Sequence, residues 1–209
     1  SLPLYCSDLN QGCQGGYPFL TALWGQSVGL VDDDCMDRYH VHDGEQCPAY
    51  VKGEKKKHSE LDKCMQGKEH TVSSFGYVGG FYGGCSEEGM MEALQKGPIT
   101  IALEPGMDFM YYKSGVYSSV NKDAPSPVAE EWVKVDHAVL MVGYGVDTSG
   151  SEPKPYWILQ NSWGPDWGED GYMRIARGEN ESGVEFQAVE ASVTSASTSA
   201  PIHAFLKQW

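Results

Sequence analysis

The chain has 209 residues, 41% of them hydrophobic and 11% aromatic, which is enough for one large domain or two small ones with real cores. A formal net charge of −14 and a pI near 4.7 argue against a nucleic-acid binder, because neutralising phosphates requires clustered Lys and Arg. No apolar run approaches the ~18 residues of a membrane-crossing helix, so no membrane partner is expected either.

Six cysteines, Cys6, Cys13, Cys35, Cys47, Cys64 and Cys85, lack the paired spacing of structural zinc sites. Disulfides are the better reading, and they imply an oxidising, secretory-pathway compartment, a lysosome-like vesicle or the cell exterior. Spacing alone leaves the pairing open. The chain opens on Ser1-Leu2-Pro3 with neither an initiator Met nor a signal peptide, as a processed fragment would.

In chain order, Phe19, Leu20, Leu23, Trp24 and Val28 fall near helical spacing, with Pro18 in the first turn and Gly29 as the stop. Before them, Gly12, Gly15 and Gly16 make either a tight turn or a place where backbone comes close to another group. Residues 32–67 are polar and hold three cysteines, so they read as loops fixed by bridges. Lys52, Lys55, Lys56 and Lys57 belong to a solvated stretch, and His40 and His42 with Cys35 lack the further spacing a metal site needs.

Ser86 is a suitable helix N-cap, Glu87 and Glu88 suit the positive end, Met90, Met91 and Leu94 give an apolar side, and Gly97-Pro98 ends the element. Ile99, Ile101 and Leu103 then alternate as a strand. The paired glycines of VGGFYGG mark a sharp bend, not a nucleotide loop. Residues 121–131 read as a long loop, residues 171–178 as a strand, and residues 192–200 as a Ser, Thr and Ala tail. Asn180-Glu181-Ser182 is a sequon that permits a sugar.

The most informative stretch is YWILQNSWGPDWGEDGYMR, residues 156–174, read with VDHAVLMVGYG upstream. An apolar run delivers Asn161 to a turn dense in Trp and Gly, and a second run leads away from His137. Such a pair suits nucleophilic catalysis by a thiol. A histidine takes the cysteine proton, and a neutral amide orients the imidazole without removing the positive charge that stabilises the thiolate. Trp163 is placed to cover the bond between them.

QNSWGPDWGEDGY and VDHAVLMVGYG closely resemble the asparagine and histidine segments of the papain family of cysteine peptidases. YVGGFYGGC, the acidic helix after it and DFMYYKSGVY resemble the dipeptidyl peptidase I branch of that family, with similarity over most of the chain. The resemblance implies an α+β fold of two lobes: residues 1–71 as the remainder of a helical lobe, 72–193 as an antiparallel β-barrel lobe, and 194–209 as a tail. It implies His137 and Asn161 as catalytic, Trp163 as their shield, and Gly15 and Gly16 as backbone partners of an extended peptide. Pro18, Phe19 and Val184 would border the pocket for the second residue before the scissile bond, and Trp167 the leaving-group side.

The nucleophile motif of the family is absent from this sequence. Cys6 lies 131 residues before His137, within the family's roughly 130 to 150 residues, but LYCSDLNQGCQGG matches a downstream cysteine pair. The resemblance therefore places the nucleophilic cysteine on an upstream chain of the same precursor, together with an exclusion domain that restricts cleavage to free N-termini. It pairs Cys6 with Cys47 and Cys35 with Cys64, makes Cys13 an interchain bridge, and leaves Cys85 a free thiol. No cofactor is implied. Phe19 stands where the family has a tyrosine that helps hold a chloride ion, and phenylalanine has no hydroxyl to donate, which argues against chloride although backbone donors could retain it. Peptides are the expected partners, and a homo-oligomer is compatible with the resemblance. Two other readings stay open: an ordinary endopeptidase of the family, and a catalytically inactive relative kept as a binding protein.

Overall fold

The computed structural model describes residues 2–30, 70–119 and 135–195, and the statements below concern those residues. The architecture is α+β, as expected, and the chain divides into two compact units, Ser1–Phe75 with Ala191–Trp209, and Gly76–Glu190. The division falls inside two strands, β1 (His70–Tyr77) and β7 (Ala188–Ser195).

The first unit holds α1 (Leu2–Cys6), a short 3-10 turn over Gly12–Gln14, and α2 (Pro18–Val28). Pro18 opens α2, where its missing N–H is not needed, and Gly29 with φ 91° ends it by donating to the Gly25 carbonyl. Asn10 fixes the entry to α2. Its Oδ1 accepts from the Tyr17 amide at 2.9 Å, and its Nδ2 donates to Ser7 and Thr21 hydroxyls. Trp24 is buried, and Phe19 meets Phe75 edge to face at 4.9 Å. The outer ends of β1 and β7 are tied by side chains, Ser73 Oγ donating to the Ser192 carbonyl and Thr194 Oγ1 to that of Thr71.

The second unit is built on a sheet ordered β1-β7-β2-β4-β5-β6-β3, in which β2 is Ile99–Leu103, β3 Val116–Tyr117, β4 His137–Asp147, β5 Lys154–Gln160 and β6 Tyr172–Ala176. The pairs β2–β4, β2–β7, β4–β5 and β5–β6 are antiparallel, and β3–β6 is parallel. One face carries the core: Ile99, Ile101, Leu103, Val139, Met141, Trp157, Leu159, Met173 and Ile175 are buried together. The helix α3 (Glu87–Lys96) covers it with Met90, Ala93 and Leu94. As its sequence suggests, Ser86 Oγ caps α3 by accepting from the Gly89 amide, with two acids in the first turn and Lys96 in the last. Arg177 then pins α3 to the end of β6 through Glu87 at 2.6 Å.

The β5–β6 connection is held by charge. Arg174 pairs with both carboxylate oxygens of Glu169, at 2.9 and 2.6 Å, and Glu169 also accepts from the Gly115 amide at 2.9 Å. These bonds hold the Glu169 carboxyl below its ordinary value, the Arg174 bond being the largest cause, with burial opposing. A depressed folded-state pKa stabilises above the ordinary carboxyl value and stops doing so as pH falls through the folded value. Glu169→Gln is therefore expected to destabilise the fold by about 1–3 kcal/mol at neutral pH. Urea unfolding should show that difference shrinking in acid below about pH 4; a difference that persists there would contradict the assignment.

Candidate active site

Sheet register brings the two predicted catalytic residues together. His137 is the first residue of β4, opposite Leu103 of β2, and Asn161 follows the last residue of β5, where Gln160 faces Leu140. Antiparallel pairing thus leaves the histidine end of β4 beside the exit of β5. His137 Nε2 lies 3.0 Å from Asn161 Oδ1.

The amide orientation is fixed independently. Asn161 Oδ1 also accepts from the Ser162 amide at 2.8 Å, which a flipped amide nitrogen could not do. An oxygen can only accept from the ring, so Nε2 carries a proton and Nδ1 is the nitrogen left for proton exchange. Asn161 Nδ2 is sealed from solvent, with no hydrogen-bond partner among the described residues.

Trp163 stacks on the imidazole, ring centroids 5.1 Å apart and planes 30° from parallel, and is itself 40% exposed. Its indole thus shields the ring from water on one side. Phe109, which sequence reading did not single out, lies on another side: it meets His137 at 6.4 Å and Trp163 at 5.8 Å edge to face, and stacks with Trp167 at 5.5 Å. Phe109 is 1% exposed. The DFMYY segment holding it has three aromatic residues in five, and only the fold reveals that Phe109 and Tyr112 turn inward while Tyr111 is exposed. Trp167 is buried and donates from Nε1 to the Met110 carbonyl at 3.2 Å, locking the Trp turn to the Phe109 segment.

The turn itself needs glycine. Asn161 donates to Gly171 O, and Gly171 donates to Trp167 O. Gly168 has φ +60°, and a Cβ there would sit 2.5 Å from the Tyr172 carbonyl oxygen, so a side chain is excluded.

The expected substrate-side residues divide between the units. Gly15, Gly16, Pro18 and Phe19 lie together at the start of α2 in the first. Gly15 has φ +107° and open space where a Cβ would be, while a Cβ on Gly16 would run into the Asn10 side chain. Close approach at Gly16 is thus already explained within the chain, and Gly15, open on its Cβ side, already donates its N–H to the Gly12 carbonyl and accepts from the Gln11 amide. Val184 lies in the second unit, 0% exposed and packed into the core cluster.

Of the cysteines, Cys6 is disulfide-bonded, to a partner outside the described residues. Cys13 is a free, exposed thiol on the 3-10 turn and Cys85 a free, half-buried one. Cys85 Sγ sits 3.4 Å from the Val78 carbonyl and accepts from the Ala188 amide at 3.1 Å; burial pushes its thiol up to about 11. Such a thiol is protonated and inert at physiological pH. Cys35, Cys47 and Cys64, with the bridges expected of them, His40 and His42 lie outside the described residues. Among the described residues no cluster of His, Cys, Asp or Glu could hold a metal, and no helix is long and apolar enough to cross a membrane.

Residues 3–192 match the family described as papain family cysteine protease. Cathepsin C of Schistosoma mansoni is 36% identical over 185 residues, covering 86% of this chain and 36% of that protein. Cathepsin B-like CP2 of Giardia intestinalis is 35% identical over 189 residues, covering 88% and 53%. Among solved structures, the bromelain protease of Ananas comosus in complex with an inhibitor superposes with a TM-score of 0.65 at 27% identity, covering 91% of this chain and 75% of that one. The chain thus spans about a third to a half of the curated relatives it matches.

The shielding geometry predicts a spectroscopic effect. Trp163→Ala should uncover the His137 to Asn161 bond, so the His137 Nε2 proton, seen as a separate NMR signal in the parent, should broaden or vanish through solvent exchange. An unchanged exchange rate would mean that the indole does not protect the bond.

Proposed function

This chain belongs to the papain family of cysteine proteases, and on that premise we propose that it is the histidine- and asparagine-bearing part of a dipeptidyl peptidase, an enzyme that removes two residues at a time from free peptide N-termini. The observation that carries the reading is the His137 to Asn161 bond, oriented by the Ser162 amide and roofed by Trp163. The dipeptidyl assignment leans on the likeness to cathepsin C.

The nucleophile in this proposal is a cysteine outside the present sequence, on an upstream segment of the same precursor joined through Cys13. Two local candidates are physically unsuited: Cys6 is already in a disulfide, and Cys85 holds its proton too tightly. The thiol gives its proton to His137 Nδ1, and the thiolate forms a C–S bond to the scissile carbonyl carbon. Breakdown of that adduct cleaves the C–N bond as Nδ1 returns the proton to the leaving amine. Water then gives a proton to Nδ1 while its oxygen attacks the thioester, and the thiol is regenerated with the dipeptide released as an acid.

Asn161, being a neutral acceptor, orients the ring without neutralising the imidazolium. Gly15 and Gly16 offer backbone to the extended peptide, Pro18 and Phe19 border the pocket for the second residue, and Trp167 backs the leaving-group side. The exclusion domain is also supplied from outside this sequence. The proposal includes the bridges Cys6 to Cys47 and Cys35 to Cys64, no required cofactor, no chloride ion at Phe19, and a lysosome-like or extracellular location.

An endopeptidase is the second reading, favoured by the likeness to a cathepsin B-like protein and to bromelain. Dipeptide reporters with free and acylated N-termini separate the two. The assembled protein should cleave the free-amine form at least tenfold faster in kcat/KM, about the factor that 1.4 kcal/mol of ammonium binding supplies, and His137→Ala should abolish turnover. Equal cleavage of both forms would favour the endopeptidase, and no turnover of either by the assembled protein would favour the inactive relative.

A further inference from the structure

Asn180-Glu181-Ser182 has the pattern of an acceptor site for an N-linked sugar, and the peptidase chemistry makes no use of it. It lies between β6 and β7, with Asn180 just before a 3-10 turn over Glu181–Gly183. The Asn180 side chain is engaged on one side only. Its Oδ1 accepts from the Glu185 amide at 2.7 Å, and the Asn180 amide donates to Glu185 Oε2 at 3.0 Å, so the two residues clasp the turn reciprocally. A flipped carboxamide would set its own N–H groups against the Glu185 N–H, which fixes the orientation. Nδ2 forms no hydrogen bond among the described residues and, unlike Asn161 Nδ2, is not sealed from solvent.

An amide tied through its oxygen and open at its nitrogen suits substitution at that nitrogen. A sugar on Nδ2 displaces water alone and breaks no bond within the protein. The carbonyl of a substituted amide is still an acceptor, so the clasp with Glu185 survives. That clasp is itself anchored, because Glu185 Oε1 accepts from the Trp157 indole at 2.8 Å and from the Gly178 amide at 2.6 Å. Gly178 and Glu179, just before Asn180, are exposed and leave room on that side.

Ser182 sets the timing. The acceptor pattern is read through its hydroxyl, yet in the fold Ser182 is 7% exposed and Oγ donates to Glu181 Oε1 at 2.9 Å. The Ser182 carbonyl accepts from the Glu104 amide at 2.8 Å, which holds the turn against the end of β2. Asn180 and Ser182 both have left-handed backbone, φ 49° and 54°, a conformation that residues with a side chain seldom adopt unless the surroundings hold them there. An enzyme can therefore read the hydroxyl only while this segment is still open. Once the turn closes, the hydroxyl is out of reach and Nδ2 is still at the surface.

We propose that Asn180 carries an N-linked sugar, added before the β6–β7 turn closes and kept on the folded surface. In the transfer, Nδ2 forms a bond to C1 of the first sugar of a lipid diphosphate-linked oligosaccharide. The C1–O bond to the diphosphate breaks, the lipid diphosphate leaves with that electron pair, and Nδ2 gives up one proton and keeps the other. The inference rests on the lysosome-like or extracellular location proposed above, which takes the chain through the secretory pathway.

The test uses the full precursor made in secreting eukaryotic cells. Peptide N-glycosidase in heavy-oxygen water converts a glycosylated asparagine to an aspartate bearing the heavy isotope, and peptide mapping locates it. Asn180 should be labelled in the parent and in Ser182→Thr, which keeps the acceptor hydroxyl. Ser182→Ala, which leaves both Glu185 bonds in place, should lose the label. Transfer precedes folding, so the variants are read in whole-cell extracts whether or not they fold. For the timing, protein made while synthesis of the lipid-linked sugar is blocked is offered to detergent-opened microsomes. It should accept sugar only after its disulfides are reduced and alkylated. An unlabelled Asn180 in the parent would overturn the proposal, and equal modification of the folded and opened chains would overturn its timing. Mapping Cys6 in the same sample separates the two readings: a bridged Cys6 with a bare Asn180 refutes the sugar site alone, whereas a reduced Cys6 with a bare Asn180 refutes the oxidising location as well.

Discussion

A hydrogen bond of 3.0 Å between an imidazole and a carboxamide organises the second unit. Neither residue could find the other from sequence separation alone, since 24 positions lie between them. The β4–β5 pairing brings their backbones together, and the closed Trp-Gly turn after β5 aims the amide. The turn is in turn held by Trp167 bonding to Met110 O and by the Arg174–Glu169 pair, which also reaches Gly115. Water competes poorly for a bond covered by indole on one side and phenyl on another.

The neutral character of Asn161 decides what chemistry this bond serves. A carboxylate there would pair with the imidazolium and weaken its pull on a neighbouring anion. An amide accepts a hydrogen bond from Nε2–H and leaves the ring charge to act through Nδ1, the arrangement that favours a thiolate over a thiol. Within the sequence, however, the sulfurs that the structure describes are poorly suited to become that thiolate. Cys85 is wrapped in backbone and Cys6 is bridged, while Cys13 lies exposed on a three-residue turn and is the proposed link to the upstream segment.

Much of this was legible beforehand, for identifiable reasons. Helix α3 carries its cap, its first-turn acids and its stop in the sequence, and it forms where those signals place it. The strand Ile99–Leu103 alternates visibly, and the Asn-Ser-Trp-Gly stretch with its upstream histidine is distinctive enough to identify the pair and the α+β, papain-like fold. Phe109 was not legible, because which residues of DFMYY turn inward, and that Phe109 is the one to meet both Trp163 and Trp167, depends on tertiary packing. Gly16 had an internal explanation in Asn10, which glycine content alone could not distinguish from substrate approach.

The central claim is that His137 serves a sulfur outside this sequence. Ordinary thiols are protonated at mildly acidic pH, whereas a thiolate paired with an imidazolium stays reactive, so brief alkylation with iodoacetamide at that pH followed by peptide mapping finds it. The protein purified with all its segments should be labelled fastest on a cysteine other than the six here, and His137→Ala should abolish that fast labelling. Fast labelling of Cys13, Cys85 or any other of the six, or a rate indifferent to His137, would contradict the account.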